Sequence, residues 1–222
     1  MSATSPLPWD AAGLDPAERV RRAAVLLAAL AQDGLTFAAN AYESDRYASV
    51  AGLASELLSA VSGRDAAELA LELGRDSGYA TPKVDVRGAC FDPDERVLLT
   101  RERSDGLWSL PGGWADPGDT PTTAVLRELR EESGAVADVV KLVGCWDRDT
   151  RGHRPALPVA VIKLFFLCRV REMGVHSELE TLETGWFSVE DLPPLSLHRV
   201  DEVELRRCLA HHRDPSLPTE LD

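Results

Sequence analysis

The chain has 222 residues, 44% of them hydrophobic and 27% charged, close to the globular average. That composition excludes a wholly disordered chain, a collagen-like repeat and a membrane bundle, and the length suits one ordinary domain plus a small one. With 24 basic and 37 acidic residues the net charge is −13, so most of the surface repels phosphate backbones and nucleic acid is a poor expectation as partner. A phosphorylated substrate would need positive charge recruited locally, and a bound divalent metal is the obvious source.

Cys90, Cys145, Cys168 and Cys208 include no Cys-x-x-Cys pair, so four reduced thiols in a cytoplasmic protein are expected. Arg19–Arg22 followed by the apolar run Ala23–Ala31 looks like part of a secretory signal. However, the run starts late and follows Asp10, Asp15 and Glu18, whereas signal peptides open on a short positive stretch. It also falls short of the ~18 apolar residues that span a bilayer. A buried helix is expected, with no membrane association.

Helices are expected over 14–73. Asp15-Pro16 reads as an N-cap with proline in the first turn, and Asp33-Gly34 as the stop. A second helix is expected over Ser44–Leu58, with Tyr47, Val50, Ala51, Ala54 and Leu58 on one face and Gly63 beyond it. A third runs over Asp65–Leu73, and residues 74–83 form a linker by composition. These helices have too few residues for a core of their own, so a face should pack against the rest or against a second copy. The expectation is a helical domain with its linker at 1–78, a second domain at 79–222, and a homodimer through the N-terminal helices.

The pattern then changes to strands. Val84–Phe91, a turn at Asp92-Pro93-Asp94 and Arg96–Thr100 predict a hairpin. Further strands are expected over Val139–Trp146, over Val159–Val170 (apolar enough to be central) and over Gly185–Ser188, with a closing helix over Glu202–His211. This order argues for a mixed α/β or α+β sandwich.

The most informative stretch is Gly112–Ala135, GGWADPGDTPTTAVLRELREESGA. Thr120-Pro121 starts a helix and Gly134 ends it. At about 100° per residue, Glu128, Glu131 and Glu132 share one third of its surface. Ala124 lies beneath the same arc, Val125, Leu126 and Leu129 form the apolar arc, and Arg127 and Arg130 take the remainder. Neighbouring carboxylates repel. Either water and the arginines offset this, as on an ordinary solvated helix with an Arg127–Glu131 pair, or a cation such as Mg²⁺ does.

The spacing of Gly113, Asp119, Arg127-Glu128-Leu129, Glu131-Glu132 and Gly134-Ala135 resembles the signature of the Nudix hydrolases, with Asp119 where the family usually has glutamate. Leu98-Leu99, the Trp108–Gly113 approach and Gly185-Trp186-Phe187-Ser188 are also similar to the family, so the resemblance covers about 84–195. The stretch GLTFAANAYESDRY resembles the accessory segment of a subgroup that includes CDP-choline and ADP-ribose pyrophosphatases. The resemblance implies a Nudix-type α/β/α sandwich with a mixed sheet after a small helical domain. It implies metal-dependent hydrolysis of the diphosphate in a nucleoside diphosphate linked to another group, with Mg²⁺ or Mn²⁺ as cofactor and a small nucleotide conjugate as partner. By the same resemblance, Glu128 and Glu132 bind the metal with the carbonyl of Gly112. Glu131 ligates it or helps activate water, and Arg127 orients the glutamates. Asp119 is a methylene short of the usual residue, which leaves its part open.

Glu178, Glu180 and Glu183 precede Gly185, where many members of the family carry a further glutamate; Glu180 is the choice for an additional ligand or base, against a solvated surface residue. Arg101 and Arg103 could hold phosphate or be plain surface charge. Trp108, Trp114 and Trp146 could stack a base or sit in the core. His153, in a Gly/Arg/Pro loop, could line the pocket or be solvated. Two other functions stay in view. A non-catalytic sensor would be expected to have damaged glutamates, and an RNA 5′-end pyrophosphohydrolase needs a basic track, for which Arg148, Arg151 and Arg154 are the material. Arg151 stands where ADP-ribose enzymes of the family often carry proline, which tilts the expectation toward CDP-choline or another small conjugate.

Overall fold

The computed structural model describes residues 13–177 and 179–222, so Asp10 and Glu178 lie outside the described residues. The chain divides into two compact units, one of residues up to Thr81 with Leu157–Val159, the other of Pro82–Ala156 with Ala160–Asp222.

The helical unit holds α1 (Pro16–Phe37), α2 (Ala41–Ser62) and α3 (Ala66–Leu73). Each start has a side-chain cap: Asp15 accepts from the Glu18 N–H, Asn40 from Glu43 and Asp65 from Glu68, satisfying donors that have no partner inside the helix. Gly63 ends α2 in the left-handed conformation, φ 71°. The expected stop at Asp33-Gly34 does not occur, and α1 runs on to Phe37. A Cβ at Gly34 would lie 2.1 Å from the Tyr47 ring, so the glycine serves a close approach of α1 and α2. The core is small: Ala24, Leu58 and Leu69, with Val25 and Leu73 against them.

The sheet unit holds β1 (Lys83–Cys90), β2 (Val97–Glu102), β3 (Trp108–Ser109), β4 (Gly112–Trp114), α4 (Pro121–Ser133), β5 (Ala135–Asp147), β6 (Val161–Met173), β7 (Thr181–Phe187), α5 (Glu202–Arg213) and β8 (Glu220–Leu221). One sheet has the order β4-β1-β6-β5-β8 and the other β3-β2-β7. The apolar strand β6 is central, parallel to β1 and antiparallel to β5, so the sheet is mixed. The expected hairpin is corrected. After one bridge, Phe91 to Val97, β1 and β2 part into different sheets. β1 is buried from Asp85 to Cys90 and finds ladder partners on both edges, in β4 and β6.

Alternation along the strands builds two cores. Ala89, Val97, Leu99 and Phe165 join Leu205, Cys208 and Leu209 of α5. Their neighbours Cys90, Leu98 and Phe166 join Ala124, Val125 and Leu129 of α4. A helix on each face makes the α/β/α sandwich. Each fully buried Leu or Phe contributes about 1.5–3 kcal/mol, which anchors α4 and fixes which side chains it turns inward.

Candidate active site

The site starts from how α4 is held. Thr120 and Thr123 form a reciprocal cap, Pro121 follows, and Gly134 closes the helix at φ 73°. A Cβ at Gly134 would lie 2.5 Å from the Gly174 carbonyl oxygen. With Val125 and Leu129 committed to the core, Glu128 and Glu132, one turn apart, are buried, and Glu131 is exposed. The glycine loop closes on the buried pair. The Gly112 N–H donates to Glu132 Oε2 at 2.8 Å. A Cβ at Gly113 would lie 3.1 Å from Glu128 Oε1, and one at Gly112 (φ 149°) only 2.0 Å from the Val86 carbonyl oxygen. Gly112 tolerates no side chain at all.

Arg127 gathers the other acids. Its Nη1 contacts Glu128 Oε1 at 2.8 Å and Glu131 Oε2 at 3.4 Å, and its Nη2 contacts Asp119 Oδ2 at 2.9 Å and Asp116 Oδ2 at 3.4 Å. Asp119 thus meets the guanidinium rather than the buried pair, and that hydrogen bond holds its carboxyl below the usual range.

Burial pushes the Glu132 carboxyl up to about 8, against Arg87 and the Gly112 N–H, with the Glu102 and Glu128 charges adding to the rise. Burial also raises Glu128, against Arg127. Such carboxylates are costly to ionise until positive charge arrives. The donors are oxygens only, which suits a hard divalent cation. Among the described residues no three acidic, His or Cys side chains form a ready cage. Mg²⁺ needs none, because it commonly keeps several waters beside one or two carboxylates. The residues therefore fit such an ion.

Behind the glycine loop lies a layer of buried charge that the sequence reading missed. Arg87 grips Asp85 with two 2.8 Å hydrogen bonds and gives Nη1 to the Leu110 carbonyl at 3.1 Å, so it supports the loop from below. Lys163 lies 3.7 Å from Asp85. Glu102, on β2, is buried as well. The signal was present: on a strand, Glu102 is in step with Leu98, the β2 residue that joins the α4 core.

The remaining candidates separate. Arg101 is exposed, donating to the Gly106 carbonyl at 2.9 Å and lying 3.7 Å from Glu183. Arg103 and Glu180 are exposed, joined through the Arg103 N–H and the Glu180 carbonyl at 2.8 Å. One expectation is corrected: His153 does lie in a loop, but it faces neither a pocket nor solvent. It is 3% exposed, with Nδ1 2.8 Å from the Leu197 carbonyl and Nε2 2.9 Å from Glu204, so both ring nitrogens are taken. Trp108 packs edge-on against Phe187, centroids 4.6 Å apart, beside the α5 core, and stays half-buried. Trp146 is fully buried, whereas Trp114, next to Gly113, is 49% exposed.

A glycine loop closed on carboxylates of one helix, inside an α/β/α sandwich, defines a Nudix-type hydrolase of pyrophosphate bonds. The chain matches the NUDIX domain over residues 81–208 and belongs to that family. Residues 18–71 match the UDP-X-like, N-terminal oligomerisation domain. Among relatives, the chain is 34% identical over 210 residues to "Putative ADP-ribose pyrophosphatase YjhB" of Bacillus subtilis, covering 94% of this chain and 96% of that one. Among solved structures, a UDP-X diphosphatase aligns at 29% identity and TM-score 0.58, covering 93% of this chain and 99% of that one. An ADP-ribose pyrophosphatase from Streptococcus suis aligns at 37% identity and TM-score 0.58, covering 64% and 100%. No helix among the described residues is long and apolar enough to cross a membrane.

Proposed function

We propose that the protein hydrolyses the diphosphate of a nucleoside diphosphate linked to another group, of CDP-choline or ADP-ribose type, with Mg²⁺ or Mn²⁺ held by Glu128, Glu132 and the Gly112 carbonyl. The observation that carries this reading is the burial of Glu128 and Glu132 against the two glycines that open β4. Bound there, the ion would neutralise the diphosphate and acidify the attacking water. The Gly112 N–H fixes one Glu132 oxygen. Arg127 orients Glu128 and Glu131 through Nη1, and Glu131, exposed at the rim, takes the proton of the water. Glu180 is a further base candidate, and Arg101 and Arg103 are phosphate contacts at the same end of β2. The names of the relatives support a nucleotide conjugate, and the residue at 151 favours a small one over ADP-ribose. Hydrolysis of ADP-ribose, CDP-choline and UDP-sugars with each metal, followed by chromatography, tests the reading. One conjugate should exceed the others at least tenfold in kcat/KM and release a nucleoside monophosphate. No turnover of any conjugate with either metal would overturn it.

The helical unit, with its linker to residue 78, is proposed as a separate domain that pairs two copies of the chain. Leu30, Phe37, Tyr42 and Leu53 are exposed on it, and its match to an oligomerisation domain supports that reading. Light scattering should give twice the 24.1 kDa chain mass; a single mass rejects pairing. A cytoplasmic location is part of the proposal, in keeping with four free cysteines.

A further inference from the structure

We infer that Glu102 is a metal-binding carboxylate, sharing a divalent cation with Glu132; this rests on the metal-dependent reading above. The Glu102 side chain is 9% exposed. Its Oε1 is buried and has no hydrogen-bond partner among the described residues. Glutamate is almost never buried without a partner, so an unmatched oxygen of this kind points to something that occupies the position during function.

The neighbouring cations do not supply what is missing. Arg199 Nη2 stands 3.5 Å from Oε2, too far for a good charge-assisted hydrogen bond. That guanidinium is already engaged: Nη1 with Asp105 at 3.0 Å and Ser196 at 2.8 Å, and Nη2 with Ser104 at 3.0 Å. Arg87 is committed elsewhere as well. Its Nε and Nη2 are bonded to Asp85, and its Nη1 to the Leu110 carbonyl. Neither arginine therefore closes a hydrogen bond on Glu102 Oε1.

Position places Glu102 with the site. In step with Leu98 along β2, it points to the α4 side of the strand. Oε1 is enclosed, so a bulky substrate donor has no access, whereas an ion bound between Glu102 and Glu132 would satisfy both. Oxygen ligands and a pair of negative charges select a hard divalent cation, Mg²⁺ or Mn²⁺.

The test is titration calorimetry of Mn²⁺ into the full chain without substrate, with thermal unfolding of each variant alongside. Glu102→Gln should weaken Mn²⁺ binding at least tenfold while leaving the melting temperature equal or higher, since it removes an uncompensated buried charge. Arg199→Met should leave Mn²⁺ affinity within threefold, because the carboxylate remains. If Glu102→Gln does not fold, Glu102→Asp, which withdraws the oxygen by one methylene, should bind more weakly than wild type. Mn²⁺ affinity within twofold of wild type in the folded Glu102 variant, with Glu132→Gln defective, overturns the role of Glu102 alone. Normal binding by Glu132→Gln too would overturn the metal site itself.

Discussion

In the helical unit, buried Glu18 and Arg21 are each other's partners three residues apart: Nε and Nη2 of Arg21 donate to the two Glu18 oxygens at 3.0 and 2.8 Å. In the sheet unit, Glu128 and Glu132 are buried beside paired glycines, with Arg127 divided among several acids and Arg87 committed to Asp85. The first arrangement lowers the glutamate to about 2, led by the hydrogen bond from Arg21; the second raises Glu132 to about 8 by burial. Charge compensated within one helical turn supports the fold. Charge buried with incomplete compensation marks where the chain depends on something it does not itself supply.

The largest effect should come from removing a charge at the uncompensated side. Glu132→Gln should lower kcat at least ~100-fold, as loss of both charge stabilisation and water activation predicts, while the melting temperature holds or rises. Steady-state kinetics within threefold of wild type would erase the contrast.

At the compensated side the sign reverses. Glu18 has its folded pKa below the ordinary 4.5, so its contribution is present above that value and lost as pH falls toward 2. Glu18→Gln should therefore be destabilised relative to wild type near pH 6 and match it near pH 2, in denaturant unfolding followed by circular dichroism. A gap independent of pH would mean that the pair acts through packing alone.

A smaller effect sharpens the same contrast in packing. Gly34→Ala puts a methyl into the Tyr47 ring and should cost about 1–3 kcal/mol. Combining it with Tyr47→Ala should recover part of that loss, which a double-mutant cycle measures. The smallest change is expected for Asp119→Glu. Asp119 is bonded to Arg127, so restoring the usual family residue should alter kcat by less than about tenfold; complete loss would show that the shorter side chain is built into the metal shell.

Local physics was legible in the sequence. The cap at Asp15, the proline start and glycine stop of α4, and the apolar run of β6 each depend on residues within a turn or a strand of one another. The Gly112–Ala135 spacing likewise carried the family and the helix whose face bears the acids. What tertiary structure decided was partnership across the chain. Gly34 read as a stop until the Tyr47 ring filled its place. Val84–Phe91 and Arg96–Thr100 read as a hairpin until β4, β6 and β7 competed for their edges. Among three acids on one arc, the core contacts of Val125 and Leu129 chose Glu128 and Glu132 for burial and left Glu131 outside. His153 found Glu204 51 residues away, and Glu102 became informative once its burial and its unmatched oxygen were set beside Glu132. Periodicity and capping act over a few residues and are written in sequence; which charges end up buried, and with what partners, is fixed only when distant segments pack.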